Sequence, residues 1–97
     1  MTASPSGDET LVIALQGRMD TIASMAAEAD VLNKVRSARG PVVFDMKAVD
    51  YVSSMFLRIC VTAAQTAGAG NFSLTHVHPE IKKVFKIANL DLLVRMS

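Results

Sequence analysis

The chain has 97 residues, 51% of them apolar, and a formal net charge of +1. This length suits one domain with one core, and the apolar fraction excludes a disordered chain. The cations are scattered, which makes nucleic acid and anionic membranes poor default partners, and Cys60, the only cysteine, excludes an internal disulfide and fits a reducing compartment.

Residues 1–9 carry Ser4, Pro5, Ser6 and Gly7 and read as a flexible leader to a domain over 10–97. They lack the charged start and apolar run of a secretion signal. The apolar runs also fall short of a membrane span, so no membrane insertion and a cytoplasmic location are expected. The run Leu11-Val12-Ile13-Ala14-Leu15 predicts a buried strand that Gly17 breaks. From Ile22 the period becomes helical, with Ile22, Met25, Ala29, Leu32 and Val35 or Arg36 on one stripe. Asp20 or Thr21 caps this helix, and Gly40-Pro41 stops it.

Val42-Val43-Phe44-Asp45-Met46 reads as the most buried strand, and residues 47–52 as a connection that is extended in part. Ser53-Ser54 stands where the next helix starts, since a serine oxygen accepts an orphan backbone N–H there. That helix runs to Ala67, with Leu57, Cys60, Val61 and Ala64 inward. Residues 68–71 are a turn. Phe72, Leu74 and His76 alternate with Ser73, Thr75 and Val77 as a strand. Pro79 opens the last helix, with Ile81, Val84, Phe85 and Ala88 inward and Lys82, Lys83 and Lys86 outward. Residues 89–94 form a tail that packs back on the core. Strands alternating with helices imply a largely parallel sheet covered by helices.

No catalytic constellation stands out, because no nucleophile–base or acid–base pair can be named. The chain therefore reads as a binding protein without a cofactor and not as an enzyme. His76 and His78 lack the further ligands that a metal needs and read as strand-end and capping residues. Cys60 lies on an apolar stripe and reads as an inert buried thiol. Gly68 and Gly70 fit no phosphate-binding motif and read as turn glycines. Ser53-Ser54 admits two readings from its residues alone. One is a plain cap. The other is a phosphorylation site at a helix start, where orphan N–H groups and the positive dipole end accommodate a phosphate.

The segments 42–46, Val49-Asp50-Tyr51-Val52-Ser53-Ser54 and Leu57-Arg58 together resemble the central segment of STAS domains. In the bacterial anti-sigma-factor antagonists it reads roughly V-V-L-D-L-x-x-V-x-Y/F-I-D/S-S-x-G-L-R/G. Gly17-Arg18-Met19-Asp20 is similar to the family's G-x-L-D, which closes its second strand. Pro79, Ile81, Val84 and Phe85, followed by Leu90-Asp91, look like its last helix and G-L-D-x-L ending. The likeness spans Leu11 to Met96.

The fold that this resemblance implies is a small mixed sheet of four to five strands, with three to four helices packed mainly on one side. The implied function is partner switching. The unmodified domain binds an anti-sigma factor that is also a serine kinase, and so frees a sigma factor. The kinase phosphorylates the domain and a protein phosphatase reverses this, with nucleotide and metal belonging to the partners. Ser54 matches the family's phosphorylatable serine, and Ser53 takes the preceding, often acidic, position. Met55 and Phe56 replace the usual small residue and glycine, which puts a large ring near the expected docking surface. That surface is expected to comprise Arg18, Asp20, Ser53, Ser54, Met55, Phe56 and Arg58. The resemblance also admits a phosphorylation-independent STAS subunit of a lipid-transporting ABC complex, a signalling scaffold, or a domain binding a small ligand or nucleotide.

Overall fold

A computed structural model describes residues 10–68 and 70–97. Seven elements follow in order: β1 (Leu11–Met19), α1 (Thr21–Ser37), β2 (Val42–Val52), α2 (Ser54–Ala67), β3 (Phe72–Thr75), α3 (Pro79–Ile87) and β4 (Arg95–Met96). The four strands form one sheet in the order β1-β2-β3-β4, and every pairing among the described residues is parallel. The leader expected over residues 1–9 lies outside the described residues.

Register explains the core. Leu11, Val42 and Phe72 form one row across the sheet, and Ile13, Phe44 and Leu74 the next. Side chains alternate between faces along a strand, so these rows share a face. Five of the six are buried, and Leu11 is half-buried against them. The neighbouring row Val12, Val43, Ser73 and Arg95 faces the other way, and Val12 there is 56% exposed. The helices therefore cover one face. Phe44 is the hub, with Phe72 edge-on at 4.7 Å and Phe56 tilted at 6.4 Å between ring centroids.

Two strands run further than their sequences suggest. β1 continues through Gly17, which takes φ +85, a conformation that costs glycine little. β2 continues to Val52 because its pairing with β1 shifts twice, between Ala14 and Gln16 and again between Gly17 and Arg18. At each shift β2 holds one residue more than β1, as in a β-bulge. The buried residues Met46, Val49 and Val52 are consequently spaced by three instead of two. That spacing made residues 47–52 read as a connection.

The helix stripes also differ from expectation. α1 buries Ser24, Val31, Leu32 and Val35, whereas Ile22 and Met25 are 79% and 60% exposed. The small residues Ser24 and Ala27 face inward in the first two turns, where they let α1 approach its neighbours closely. α2 buries Phe56, Ile59, Cys60, Ala63 and Ala64, leaving Leu57 and Val61 half-buried. In α3, Ile81 and Phe85 are buried, but Val84 and Ala88 are exposed. The tail does pack back: Val94 is buried, and the next two residues add β4 beside β3, a strand too short to leave a sequence pattern.

Candidate functional site

The strand ends carry the candidate residues. Met19 and Val52, the last residues of β1 and β2, are paired in register. Each strand then turns directly into a helix. Asp20 caps α1, its Oδ1 accepting from the Ala23 N–H at 2.9 Å. Ser53 caps α2, its Oγ accepting from the Phe56 N–H at 3.3 Å. The two caps are tied together at Met19, whose carbonyl accepts the Ser53 N–H at 2.9 Å and the Ser24 hydroxyl at 3.1 Å. Both helices thus begin at one end of the sheet, each presenting orphan N–H groups and a positive dipole end.

Ser54 follows as the first residue of α2 and is exposed. It is not the capping residue. Ser53 takes that role, which leaves the Ser54 hydroxyl outside the cap. Arg58 lies one helical turn along from Ser54 and is also exposed. Arg18 is exposed, with its guanidinium carbon 4.2 Å from the centroid of the Tyr51 ring. Met55 is half-buried against the core.

Phe56 is a correction. Its ring was expected on the docking surface, but it is only 1% exposed and packs toward Phe44. Three positions after the cap, the helix points inward, and the ring packs over β2. Ile22 and Met25 were expected in the core and instead stand in solvent on the first turns of α1, beside the capped start. Their apolar character hid this, because the stripe through them fits a helix as well as the stripe through Ser24.

The two histidines are tied to β2. His76 Nδ1 lies 3.1 Å from Asp45 Oδ1, and His78 Nε2 lies 3.1 Å from the Lys47 carbonyl. Asp45 also accepts the Lys47 N–H at 3.0 Å. That N–H first, and the His76 ring second, hold the Asp45 carboxyl below its usual range. His78 begins α3 without a side-chain capping bond. No group of three or more His, Cys, Asp or Glu side chains clusters as a metal site among the described residues. Burial pushes the Cys60 thiol pKa well up, so its reactive thiolate is disfavoured.

One cavity of about 560 Å³ lies at the start of β1, lined by residues that include Leu11, Lys34 and Arg39. Others of about 440 and 450 Å³ lie beside Phe72 and Leu92 and beside Asp50 and Pro79. None of these is lined by Ser53 or Ser54.

Comparison with known proteins agrees with this architecture. The STAS domain family model matches residues 3–97. A STAS-domain containing protein of Pseudomonas aeruginosa (strain UCBPP-PA14) is 31% identical over 100 residues, covering 100% of this chain and 98% of that one. A protein of Bordetella bronchiseptica, provisionally named anti-sigma factor antagonist BtrV, is 29% identical over 83 residues, covering 84% of this chain and 72% of its own. The solved structure of the anti-sigma factor antagonist SpoIIAA in its unphosphorylated form superposes with a TM-score of 0.75 at 20% identity, covering 92% of this chain and 80% of that chain. The phosphorylated form of SpoIIAA, described as a Bacillus cell fate determinant, gives a TM-score of 0.67 at 21% identity, covering 92% and 83%. At that identity the likeness to the solved structures is one of fold.

Proposed function

Because this chain belongs to the STAS domain family, we propose that it is an anti-sigma-factor antagonist, a binding module switched by phosphorylation of Ser54. The observation that carries this reading is the position of Ser54. It is exposed, one residue past a satisfied cap, at a helix start where an added phosphate meets orphan N–H groups instead of a packed core. A relative provisionally named as an anti-sigma factor antagonist supports the choice of partner class.

In this reading the partner is an anti-sigma factor of serine-kinase type, and the switch works in the cytoplasm. Its docking face comprises Arg18, Asp20, Ser54, Met55 and Arg58, with Ile22 and Met25 as apolar anchors. Exposed apolar side chains beside a polar switch are what a protein partner desolvates most readily. The unmodified domain holds the anti-sigma factor and frees a sigma factor. A phosphate adds about −1.5 to −2 charges at neutral pH. Within a closed interface that charge loses water without a counter-charge, and the complex opens. A phosphatase restores binding. Ser53 supports the switch as the cap and is not itself the modified residue.

The test is incubation with kinase-type anti-sigma factors encoded in the same genome, followed by intact mass and phosphopeptide mapping. Phosphate on Ser54, absent from Ser54→Ala, is the expected result. Tight binding with no modification would identify a phosphorylation-independent STAS scaffold instead.

A further inference from the structure

Ser24 is the one buried polar side chain in a core otherwise built of apolar residues, among those described, and is 0% exposed. A buried hydroxyl is costly unless it is hydrogen-bonded. Its Oγ donates to the Met19 carbonyl at 3.1 Å and lies 3.5 Å from the Ser53 Oγ. The proton of each hydroxyl can be followed. Ser24 spends its own on Met19. Ser53 Oγ accepts from the Phe56 N–H, which leaves the Ser53 proton to point at the remaining lone pair of Ser24. At 3.5 Å this contact is long, and it places the Ser53 hydroxyl against the Ser24–Met19 pair while a Ser53 lone pair faces Phe56.

We propose that Ser24 is a positioning residue for Ser54, setting the Ser53 rotamer that caps α2 and so the orientation in which the switch serine leaves the helix. This role goes beyond the phosphorylation reading but rests on it for its functional meaning. It also explains why α1 turns Ser24 inward and Ile22 and Met25 outward. The hydroxyl is needed at the junction of the two helix starts, and the larger apolar residues on the same turns are displaced to the surface.

The experiment measures amide hydrogen exchange in the full chain for the parent, Ser24→Ala, Ser53→Ala and the double variant. Ser24→Ala should speed exchange at the Phe56 amide by roughly three- to tenfold, the span of one typical hydrogen bond, relative to amides of β3. The same substitution in the Ser53→Ala background should add little. Ser24→Thr keeps the hydroxyl and should restore protection. If the added methyl does not fit, Ser24→Cys keeps the volume, and protection between that of Ser24→Ala and the parent is then expected.

A second readout is the phosphorus NMR titration of chain carrying phosphoserine genetically installed at position 54. In Ser24→Ala the phosphate should titrate closer to a free phosphoserine than in the parent. Unchanged exchange at Phe56, equal acceleration throughout the sheet, or full additivity with Ser53→Ala would overturn the proposal. These readouts need no kinase. A chain that no kinase modifies would sink the phosphorylation reading while leaving the role of Ser24 in the cap intact.

Discussion

Arg18 and Tyr51 are register partners in β1 and β2, and the guanidinium of one lies over the ring of the other at 4.2 Å. The contact lies next to the shifted register and just before both helix starts. It braces the strand ends where bulges would otherwise let them twist. Cation–π pairs at exposed sites contribute about 0.5–1 kcal/mol. Arg18→Ala and Tyr51→Leu should each lower stability by about that much in urea melts. The double variant should lose less than the sum. Full additivity would mean that the stacking carries no energy.

Ser54→Asp separates folding from binding. A carboxylate at the first helical position meets the favourable dipole end, an effect of about 0.3–1 kcal/mol. It also lies one turn before Arg58, where such pairs add about 0.2–0.5 kcal/mol. Thermal melts should therefore match or slightly exceed the parent. If the proposed function holds, titration calorimetry with the kinase-type anti-sigma factor that binds the parent should show binding weakened by at least a hundredfold, since stranding a buried charge costs roughly 3–5 kcal/mol. Binding as tight as the parent's would remove the electrostatic switch.

Phe56 tests the core. At the position where the resemblance to STAS antagonists places glycine, this chain carries a ring that is 1% exposed and packs toward Phe44. Phe56→Ala should cost about 3–5 kcal/mol through lost burial and the cavity left behind. Phe56→Gly should cost about 1 kcal/mol more because of its helix propensity. A loss below 1 kcal/mol in denaturant titration would mean that the ring is not seated as described.

Asp45 gives a pH signature. The Lys47 N–H and the His76 ring lower its folded pKa. The stability it contributes is therefore full above the unfolded value of about 3.8, and it is lost as pH falls through the folded pKa. Asp45→Asn should be less stable than the parent at pH 7. The gap should shrink steadily on acidification below about pH 4. A gap that does not change with pH would rule out an ionic origin.

Cys60 supplies an internal reporter. It is 0% exposed and its thiol is held protonated by burial. A thiol reagent should label the native chain only at the rate at which it opens, and labelling should accelerate with denaturant in parallel with loss of structure. Immediate labelling in native buffer would contradict this burial.

Much of the fold was legible because it rests on strong local signals. The run at 42–46, the cap at Ser53, Pro79 at the head of α3 and the turn at 68–71 each declare themselves over a few residues. What failed was phase. β2 hides its second half because two bulges change the inward spacing from two to three residues, so Val49 and Val52 no longer alternate with Met46. α1 hides its orientation because two stripes fit it, and a single buried hydroxyl, on Ser24, selects between them. Phe56 was misplaced for a related reason. A family pattern with glycine there says nothing of where a ring points. The serine pair at the start of α2 was legible because its signal is local: it stands at the junction of a strand and a helix, and Ser53 caps that helix.

Each neighbouring pair of strands runs parallel, so no hairpin can assemble the sheet piecemeal, and every pairing waits for a helical crossover. The junction under Ser54 is closed by a bond from the Ser53 amide to the Met19 carbonyl, which forms only after β1, α1 and β2 have come together. A chain in which these three elements have not yet packed together carries the Ser53-Ser54 sequence but not the arranged junction, so this surface arises with folding and not with the sequence alone.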